Sequence, residues 1–213
     1  MFLKKFLKTI IILAIIAAAA FASLIVYAVI TDYRPDEKTV VEVNDATAPL
    51  DDSLVVSLLT WNIGYCGLDR DMDFFYDGGK GVFTTKEKCV ENLRAVMTFL
   101  RSNDSIDFIL IQEMDKKSKR SFGVDQFETI TGHLPYESKV FGTNYKVFFV
   151  PVPPASPMGK VYSGVATLSR FIPSSSVRYS FPGKYGFPKQ LFMLDRCFLV
   201  NRYPMQNGKE LIV

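Results

Sequence analysis

Two apolar runs, each ending in a polar side chain, most constrain the fold of this chain. The first motif, at 58–65, follows an apolar run at 54–59 and contains Asn62, and the second motif, at 106–113, ends in Glu113. The run at 54–59 is short and nearly continuous, as is typical of a strand buried on both faces. Between them, positions 86–101 carry apolar residues at a helical spacing. The pattern predicts an α/β fold in which a helix joins the two strands.

The polar residues at the ends of the two runs form a candidate site. Side chains at the carboxyl ends of neighbouring strands converge on one crevice. The Glu113 carboxylate is a suitable ligand for a hard cation, and Asn62 is placed to position a phosphate or a second ligand. One carboxylate does not complete such a site, and the sequence up to Val213 offers no second one in a comparable setting.

The segment at positions 9–30 contains no charged residue. At about 1.5 Å per helical residue it is long enough to span a bilayer core of roughly 30 Å. A cleaved signal peptide is the alternative, because Lys4, Lys5 and Lys8 form a basic start and positions 20–22 fit a small-x-small cleavage pattern. Apolar regions of signal peptides are usually only about 7–15 residues long. We therefore favour an uncleaved anchor, with a removed signal and a buried core helix as further alternatives.

Charge predicts how this anchor is oriented. Lysines precede the segment and no positive excess follows it, so the positive-inside rule places the N-terminus in the cytoplasm and the remaining chain outside. The formal net charge is +3, and without the three N-terminal lysines the rest of the chain is neutral. A neutral exported part argues against charge-driven, sequence-independent binding of nucleic acid. Nothing in the sequence indicates a protein partner.

Cys66, Cys89 and Cys197 are odd in number, so they allow at most one disulfide within the chain. Their spacing matches neither a zinc site nor a redox pair. No catalytic role is assigned to them.

The chain divides into four parts, and the last of them reads as incomplete. From about position 145 the pattern predicts strands at 145–152, 161–168, 176–181, 191–202 and 210–213. The last strand has no cap or polar tail behind it, although domains tend to finish at exposed surface segments, so we expect a truncated domain. The parts are a cytoplasmic tail at 1–8, an anchor at 9–30, a stalk at 31–52 that carries a short strand at 39–43, and a globular domain at 53–213.

Four stretches resemble the motifs of one known family. They are Thr-Trp-Asn-Ile at 60–63, Ile-Gln-Glu at 111–113, Ser-Gly-Val-Ala-Thr-Leu-Ser-Arg at 163–170 and Leu-Asp-Arg-Cys-Phe-Leu-Val at 194–200. The chain from about Ser53 onward resembles the endonuclease/exonuclease/phosphatase superfamily of divalent-metal phosphoesterases, in particular its bacterial membrane-associated members. The resemblance implies a four-layer α/β sandwich, two packed sheets with helices outside, of which this chain holds roughly the first half.

The resemblance also implies roles for particular residues. Glu113 would be the ligand of Mg²⁺ or Mn²⁺, and Asn62 would form hydrogen bonds near the metal and the attacked phosphate. Arg196 is suited to contact the scissile phosphate in bidentate fashion, although a structural ion pair is the alternative. The weaker candidates for substrate binding at the rim are Asn144, Lys146 and Arg170.

Several motifs of the family are absent. They are an Asn-x-His-Leu histidine, a Gly-Asp-x-Asn motif and an Asp-His pair, and His133, in a surface loop, does not replace the histidine. We therefore expect a phosphate-ester hydrolase in its full-length form and no turnover by this chain alone. The substrate class stays open between nucleic acid, phospholipid and inositol phosphate. A non-catalytic exported binding protein on the same scaffold is the alternative function.

Overall fold

A computed structural model describes residues 2–44, 48–183 and 185–213 of the chain. It contains one long N-terminal helix and a mixed α/β domain with two four-stranded sheets, which is consistent with an incomplete α/β sandwich. The helices are α1 (Phe2–Thr31), α2 (Lys86–Ser102) and α3 (Gln126–Thr131), and the strands are β1 (Lys38–Val41), β2 (Leu58–Asn62), β3 (Phe108–Asp115), β4 (Ser138–Val150), β5 (Gly159–Ser169), β6 (Ser175–Ser180), β7 (Cys197–Pro204) and β8 (Glu210–Ile212).

The first sheet has the strand order β2-β3-β5-β4 and contains both predicted motif strands. β2 and β3 are parallel neighbours, and Asn62 pairs with Gln112. α2 joins them as expected, and the Thr85 hydroxyl caps it by accepting a hydrogen bond from the Lys88 N–H at 3.2 Å. α2 packs its buried face against Ile109 and Ile111 of β3. This arrangement places the carboxyl ends of β2 and β3 side by side.

The second sheet has the order β1-β6-β7-β8, and all of its pairs are antiparallel. β1 lies in the segment that the sequence analysis assigns to a stalk, and its residues Lys38–Val41 pair with β6. This strand corresponds to the one expected at 39–43, and its pairing fixes this part of the stalk to the second sheet. Positions 45–47 of the expected stalk lie outside the described residues.

The two sheets pack face to face. Phe108 of β3 lies against Tyr203 of β7 with ring centroids 5.1 Å apart, and the Asn201 side-chain amide donates to the Thr167 hydroxyl at 3.1 Å. Side chains on the opposite face of β3 pack against α2 and α3. Over the described part of the chain the layers are therefore helix, sheet and sheet.

One strand prediction needs correction. The run at 191–202 was expected to be a single strand, but Lys189–Phe192 forms a short 3-10 helix and the strand begins only at Cys197. The helix buries Leu191, and its Phe192 carbonyl accepts a hydrogen bond from the Tyr145 hydroxyl at 2.8 Å. Apolar residues in this run therefore fill the space beside β4 without entering a sheet. The other predicted strands correspond to β4, β5, β6 and β8, and β4 begins seven residues earlier than predicted.

α1 is 30 residues long and near the N-terminus, and it is apolar enough to be a membrane span or a signal sequence. Its side chains are exposed along almost the whole length, and only Ala28 near its end is buried. The Tyr27 ring packs edge-on against Phe148 of β4, with centroids 4.6 Å apart. The end of α1 therefore touches the edge strand of the first sheet.

Candidate active site

Glu113 lies at an irregularity in β3. The pairing register between β3 and β5 shifts between Ile111 and Met114, as in a β-bulge. At Glu113 the backbone φ is +53°, a left-handed conformation that residues other than glycine seldom adopt. Such strained positions persist only when their surroundings support them, and they concentrate at functional sites.

Asn62 and Glu113, the two residues proposed from the strand ends, are directly connected. The Asn62 Nδ2 donates to Glu113 Oε1 at 3.0 Å, and the Gly64 N–H donates to Asn62 Oδ1 at 2.9 Å. Both ends of the Asn62 amide are therefore engaged, one by the turn after β2 and the other by the carboxylate. In this geometry Asn62 fixes the position of Glu113.

The Glu113 carboxylate has the features that a cation ligand needs. It is partly exposed, and its one hydrogen bond or ion pair among the described residues is the bond from Asn62. No group of three or more histidine, cysteine or acidic side chains with metal-binding geometry occurs in the described ranges. A single accessible carboxylate held by one hydrogen bond fits an ion such as Mg²⁺, which keeps several waters and needs only one or two protein carboxylates.

A buried ion pair lies directly behind this site. Arg120 Nη2 and Nε donate to the two oxygens of Asp115 at 2.9 and 3.1 Å, and the two side chains are 7% and 0% exposed. Although burial opposes its charge, Arg120 has a raised pKa because of Asp115. The guanidinium stacks on the Tyr65 ring, 3.8 Å from its centroid. Arg120 therefore connects the end of β3 with the turn that follows Asn62.

Gln126 of α3 adds a second connection between the same two segments. Its Nε2 donates to the Tyr65 carbonyl at 2.6 Å, and its Oε1 accepts from the Asp115 N–H at 3.0 Å. Gln126 is completely buried. The sequence patterns identified neither Gln126 nor Arg120. No spacing pattern distinguishes these two buried residues from exposed polar ones.

Two buried tyrosines near the site have structural roles. Burial raises the pKa of both Tyr65 and Tyr145. The Tyr65 hydroxyl donates to the Val82 carbonyl, and the Tyr145 hydroxyl donates to the Phe192 carbonyl, each at 2.8 Å. Both hydroxyls stay protonated at neutral pH and are engaged with backbone groups.

Arg196 lies at the same end of the sandwich as Glu113. The thiol of the next residue, Cys197, donates to the Thr143 carbonyl at 3.6 Å. Thr143 and Met114, the residue after Glu113, pair with the same β5 residue, Gly164. Arg196 is exposed and lines a cavity of about 570 Å³. Asn62 lines a different cavity of about 290 Å³, next to α2.

Two of the three rim candidates, Asn144 and Lys146, lie on β4. Lys146 places its Nζ 5.6 Å from the Tyr33 ring centroid and 5.2 Å from that of Tyr162. Asn144 is half-buried at a register shift of β4, between Thr143 and Tyr145, which pair with the same two β5 residues as Met114 and Asp115 of β3. Both therefore lie towards the carboxyl end of β3.

Arg170 is at the other end of the sheet. Its N–H donates to the Asp107 carbonyl at 3.1 Å, just before β3 begins. The structure does not bring Arg170 together with the other candidates. His133 lies in an exposed loop, as predicted, where its Nδ1 is 2.7 Å from the Thr129 carbonyl.

All three cysteines are buried and free, so the disulfide that their number allowed is not formed. Burial raises the pKa of the Cys66 thiol to about 12 and that of Cys89 to about 11. Burial also raises the pKa of Cys197. Thiols with such raised pKa values are poor nucleophiles, and none of the three is a catalytic candidate.

A family model agrees with these observations. The model of the Endonuclease/Exonuclease/phosphatase family matches residues 59–202, about two thirds of the chain. The match covers Asn62, Glu113 and Arg196. Neither the curated proteins nor the solved structures contain a significant match to the chain.

Proposed function

The chain belongs to the endonuclease/exonuclease/phosphatase family, and on this premise we propose that it is a membrane-anchored, divalent-metal-dependent phosphoesterase. The family as such supports a hydrolase of the phosphoesterase or nuclease type. One observation carries the finer proposal, namely the hydrogen bond from Asn62 to Glu113 across the ends of two parallel strands. It holds an accessible carboxylate in one orientation, as a metal ligand requires.

In this proposal each side chain has one task. Glu113 holds Mg²⁺ or Mn²⁺, and Asn62 orients Glu113. When bound, the ion polarises a phosphoryl oxygen and stabilises the leaving oxygen. Arg196 binds the phosphate of the substrate through its guanidinium, and Asn144 and Lys146 contact the substrate at the rim. Arg170 has no task, because it lies at the opposite end of β3.

We propose that α1 anchors the protein, with the N-terminus in the cytoplasm and the domain outside. The support is the length and apolar surface of α1, together with the lysines that precede its apolar part. A removed signal peptide would leave the exported domain without this anchor. Mass spectrometry of the mature protein isolated from whole cells separates the two, because cleavage would remove most of α1.

The experiment that tests the catalytic proposal measures hydrolysis by the product of the complete gene. A nucleic acid, a phospholipid and an inositol phosphate are offered in parallel with Mg²⁺, with Mn²⁺ and with EDTA. We expect one class to be hydrolysed with either metal and none with EDTA. Hydrolysis that is insensitive to EDTA would refute the metal requirement, and no hydrolysis of any phosphate ester would favour a binding protein on the same scaffold.

A further inference from the structure

We propose that an exposed aromatic loop contacts the surface of the bilayer that α1 enters. The loop comprises residues 181–183 and 185–188, between β6 and the short helix Lys189–Phe192. This inference rests on the proposed function, because it requires α1 to stay in the membrane as an anchor. It adds a second membrane contact, made by the folded domain itself.

The loop starts beside the segment that leaves α1. Ser180, the last residue of β6, donates its N–H to the Glu37 carbonyl at 2.8 Å and its hydroxyl to the Asp36 carbonyl at 3.1 Å. The cavity that contains Arg196 has Tyr33 on one wall and Phe181 and Tyr185 among its other lining residues. The loop therefore lies next to the point where α1 ends.

The loop exposes large aromatic side chains to solvent. Phe181 is 50% exposed and Phe187 is 66% exposed. Phe181 also belongs to an aromatic cluster on the second sheet. Its ring centroid is 5.1 Å from that of Phe198, and Phe198 stacks on Tyr179 with centroids 5.3 Å apart. Contiguous exposed apolar surface of this kind indicates a contact with a membrane or a partner.

Two observations favour a bilayer over a protein partner. The first is continuity with α1, whose apolar side chains are exposed up to Ile30 and need a lipid environment to cover them. The second is the chemistry of the loop, since aromatic rings beside basic side chains suit the headgroup region of a bilayer. The Lys189 Nζ lies 4.6 Å from the Tyr185 ring centroid.

A membrane contact at this loop would turn the candidate site towards the lipid. The Lys146 and Phe148 side chains of β4 touch Tyr33 and Tyr27 at the end of α1. β4 runs parallel to β3, because both pair antiparallel with β5, so this contact lies beyond the carboxyl end of β3 where Glu113 is found. The loop and the anchor would then hold that end of the sandwich against the bilayer.

Tryptophan fluorescence tests the proposal, because Trp61 is the one tryptophan of the chain. In a Trp61→Phe background, Phe187→Trp places a reporter in the loop and Phe181→Trp provides a second one. The matched control is Phe99→Trp, on α2 next to β2 at the opposite edge of the first sheet, where Phe99 is also exposed. Each full chain is reconstituted into phosphatidylcholine and phosphatidylglycerol vesicles, with and without lipids that carry a doxyl quencher near the headgroup.

We expect the quencher to lower the fluorescence at positions 187 and 181 about twofold and to leave position 99 nearly unchanged. Equal quenching at all three positions, or none at 187 and 181, would overturn the proposal. Circular dichroism confirms that the variants are folded. Retention of the chain on vesicles after an alkaline wash reports separately on α1. Retention without quenching refutes the loop contact alone, whereas loss of the chain refutes the anchor and the inference that rests on it.

Discussion

The two ends of β3 are built from opposite kinds of interaction. At the amino end the pairing with both neighbours is regular, and the fully buried Phe108 packs against Phe171 and Tyr203. At the carboxyl end a bulge interrupts the pairing, and Glu113 is held partly exposed with a positive φ. Regular pairing and apolar packing stabilise a fold, whereas strain and exposed polar groups do not. The amino end of β3 therefore stabilises the fold, and the carboxyl end is the candidate for chemistry.

The carboxyl end nevertheless has a buried support of its own. The Asp115–Arg120 pair and Gln126 lie behind Glu113 and join the two strand ends. A buried ion pair contributes little net stability compared with apolar residues of the same volume. Its directional hydrogen bonds do, however, fix the positions of the backbone segments that they join. We therefore interpret this support as a device for geometry.

The largest expected effect comes from replacing a carboxylate by its amide, and the replacement is compared between the two ends of β3. Glu113→Gln should lower metal-dependent hydrolysis by the complete gene product about 10³-fold, with little loss of stability. The matched variant is Asp107→Asn at the amino end, where the carboxylate accepts hydrogen bonds from the Ser57 N–H and hydroxyl, each at 2.8 Å. It should cost about 0.5–1.5 kcal/mol of unfolding free energy and leave the rate within about twofold. For both variants, initial rates measure hydrolysis and urea denaturation measures the unfolding free energy. Comparable rate losses in the two variants would contradict the division between the ends.

Breaking the buried pair should affect stability and geometry together. Arg120→Met leaves the Asp115 carboxylate buried without its partner, which should cost about 3–5 kcal/mol of unfolding free energy. Adding Asp115→Leu should recover much of this stability, because the unpaired charge is removed. Metal affinity should stay reduced in the double variant if the pair positions the site. A double variant with wild-type metal affinity would show that the pair is dispensable for geometry.

Phe108→Ala tests the amino end alone. Removing this fully buried ring should cost about 3–5 kcal/mol of unfolding free energy. Mn²⁺ affinity, measured by electron paramagnetic resonance below the unfolding transition, should be unchanged because the ring lies at the opposite end of β3 from Glu113. A parallel loss of metal affinity would mean that the two ends are coupled.

Asn62→Ala should have a smaller effect at the site. The variant removes the hydrogen bond that orients Glu113 but keeps the carboxylate. We expect Mn²⁺ affinity to fall about 10–100-fold, as when other groups that orient metal ligands are removed. Asn62→Asp is a sharper comparison, because it keeps the acceptor for the Gly64 N–H and replaces the donor to Glu113 by a second negative charge. An unchanged affinity in Asn62→Ala would exclude a positioning role.

The smallest effect concerns the thiols behind the site. The pKa of Cys66 in the folded protein is about 12, raised by burial from an ordinary value of 9.0. At pH 9 about half of such thiols are ionised in an unfolded chain, against about one in a thousand for folded Cys66. Iodoacetamide should therefore modify Cys66 and Cys89 far more slowly in the native protein than in urea. The thiol favours the folded state below pH 9, and this contribution is lost as the pH rises towards 12. Rapid native labelling would show that the carboxyl end opens to solvent.

Sequence patterns were most informative for elements that are determined by residues close together in the chain. Helical spacing identified α2, and the apolar run before Glu113 identified the largely buried β3. The run at 54–59 was expected to be a strand buried on both faces, but β2 begins only at Leu58, at the edge of its sheet, and its side chains are exposed or half-buried. The same strand ends led to Asn62 and Glu113, since the ends of parallel neighbours must lie together. The predictions were wrong for the run at 191–202, where apolar residues are buried by a short helix, and incomplete for the stalk, whose Lys38–Val41 pairs with a strand far along the chain.

Nonlocal contacts explain what the sequence could not predict at the site. The positive φ of Glu113 depends on a register shift relative to β5, which no residue type signals. Arg120 and Gln126 resemble surface residues in the sequence and become buried only when α3 and the turn after β2 meet. Arg170 ends a stretch that resembles a family motif, but it follows the end of β5 that pairs with the amino end of β3, far from Glu113. Only the strand register reveals this placement.

The short connection between α1 and β1 would limit where the protein acts if α1 spans a membrane. Six residues, 32–37, separate the end of α1 from β1, and β1 is fixed by its pairing with β6. An extended chain of this length reaches at most about 20 Å. The end of α1 also touches β4 near the carboxyl end of β3, so a domain held in a bilayer by α1 would keep Glu113 close to the lipid and reach only phosphate esters near its surface. Its encounters with substrate would then be set by lateral diffusion in the membrane plane and by whatever solutes approach that surface.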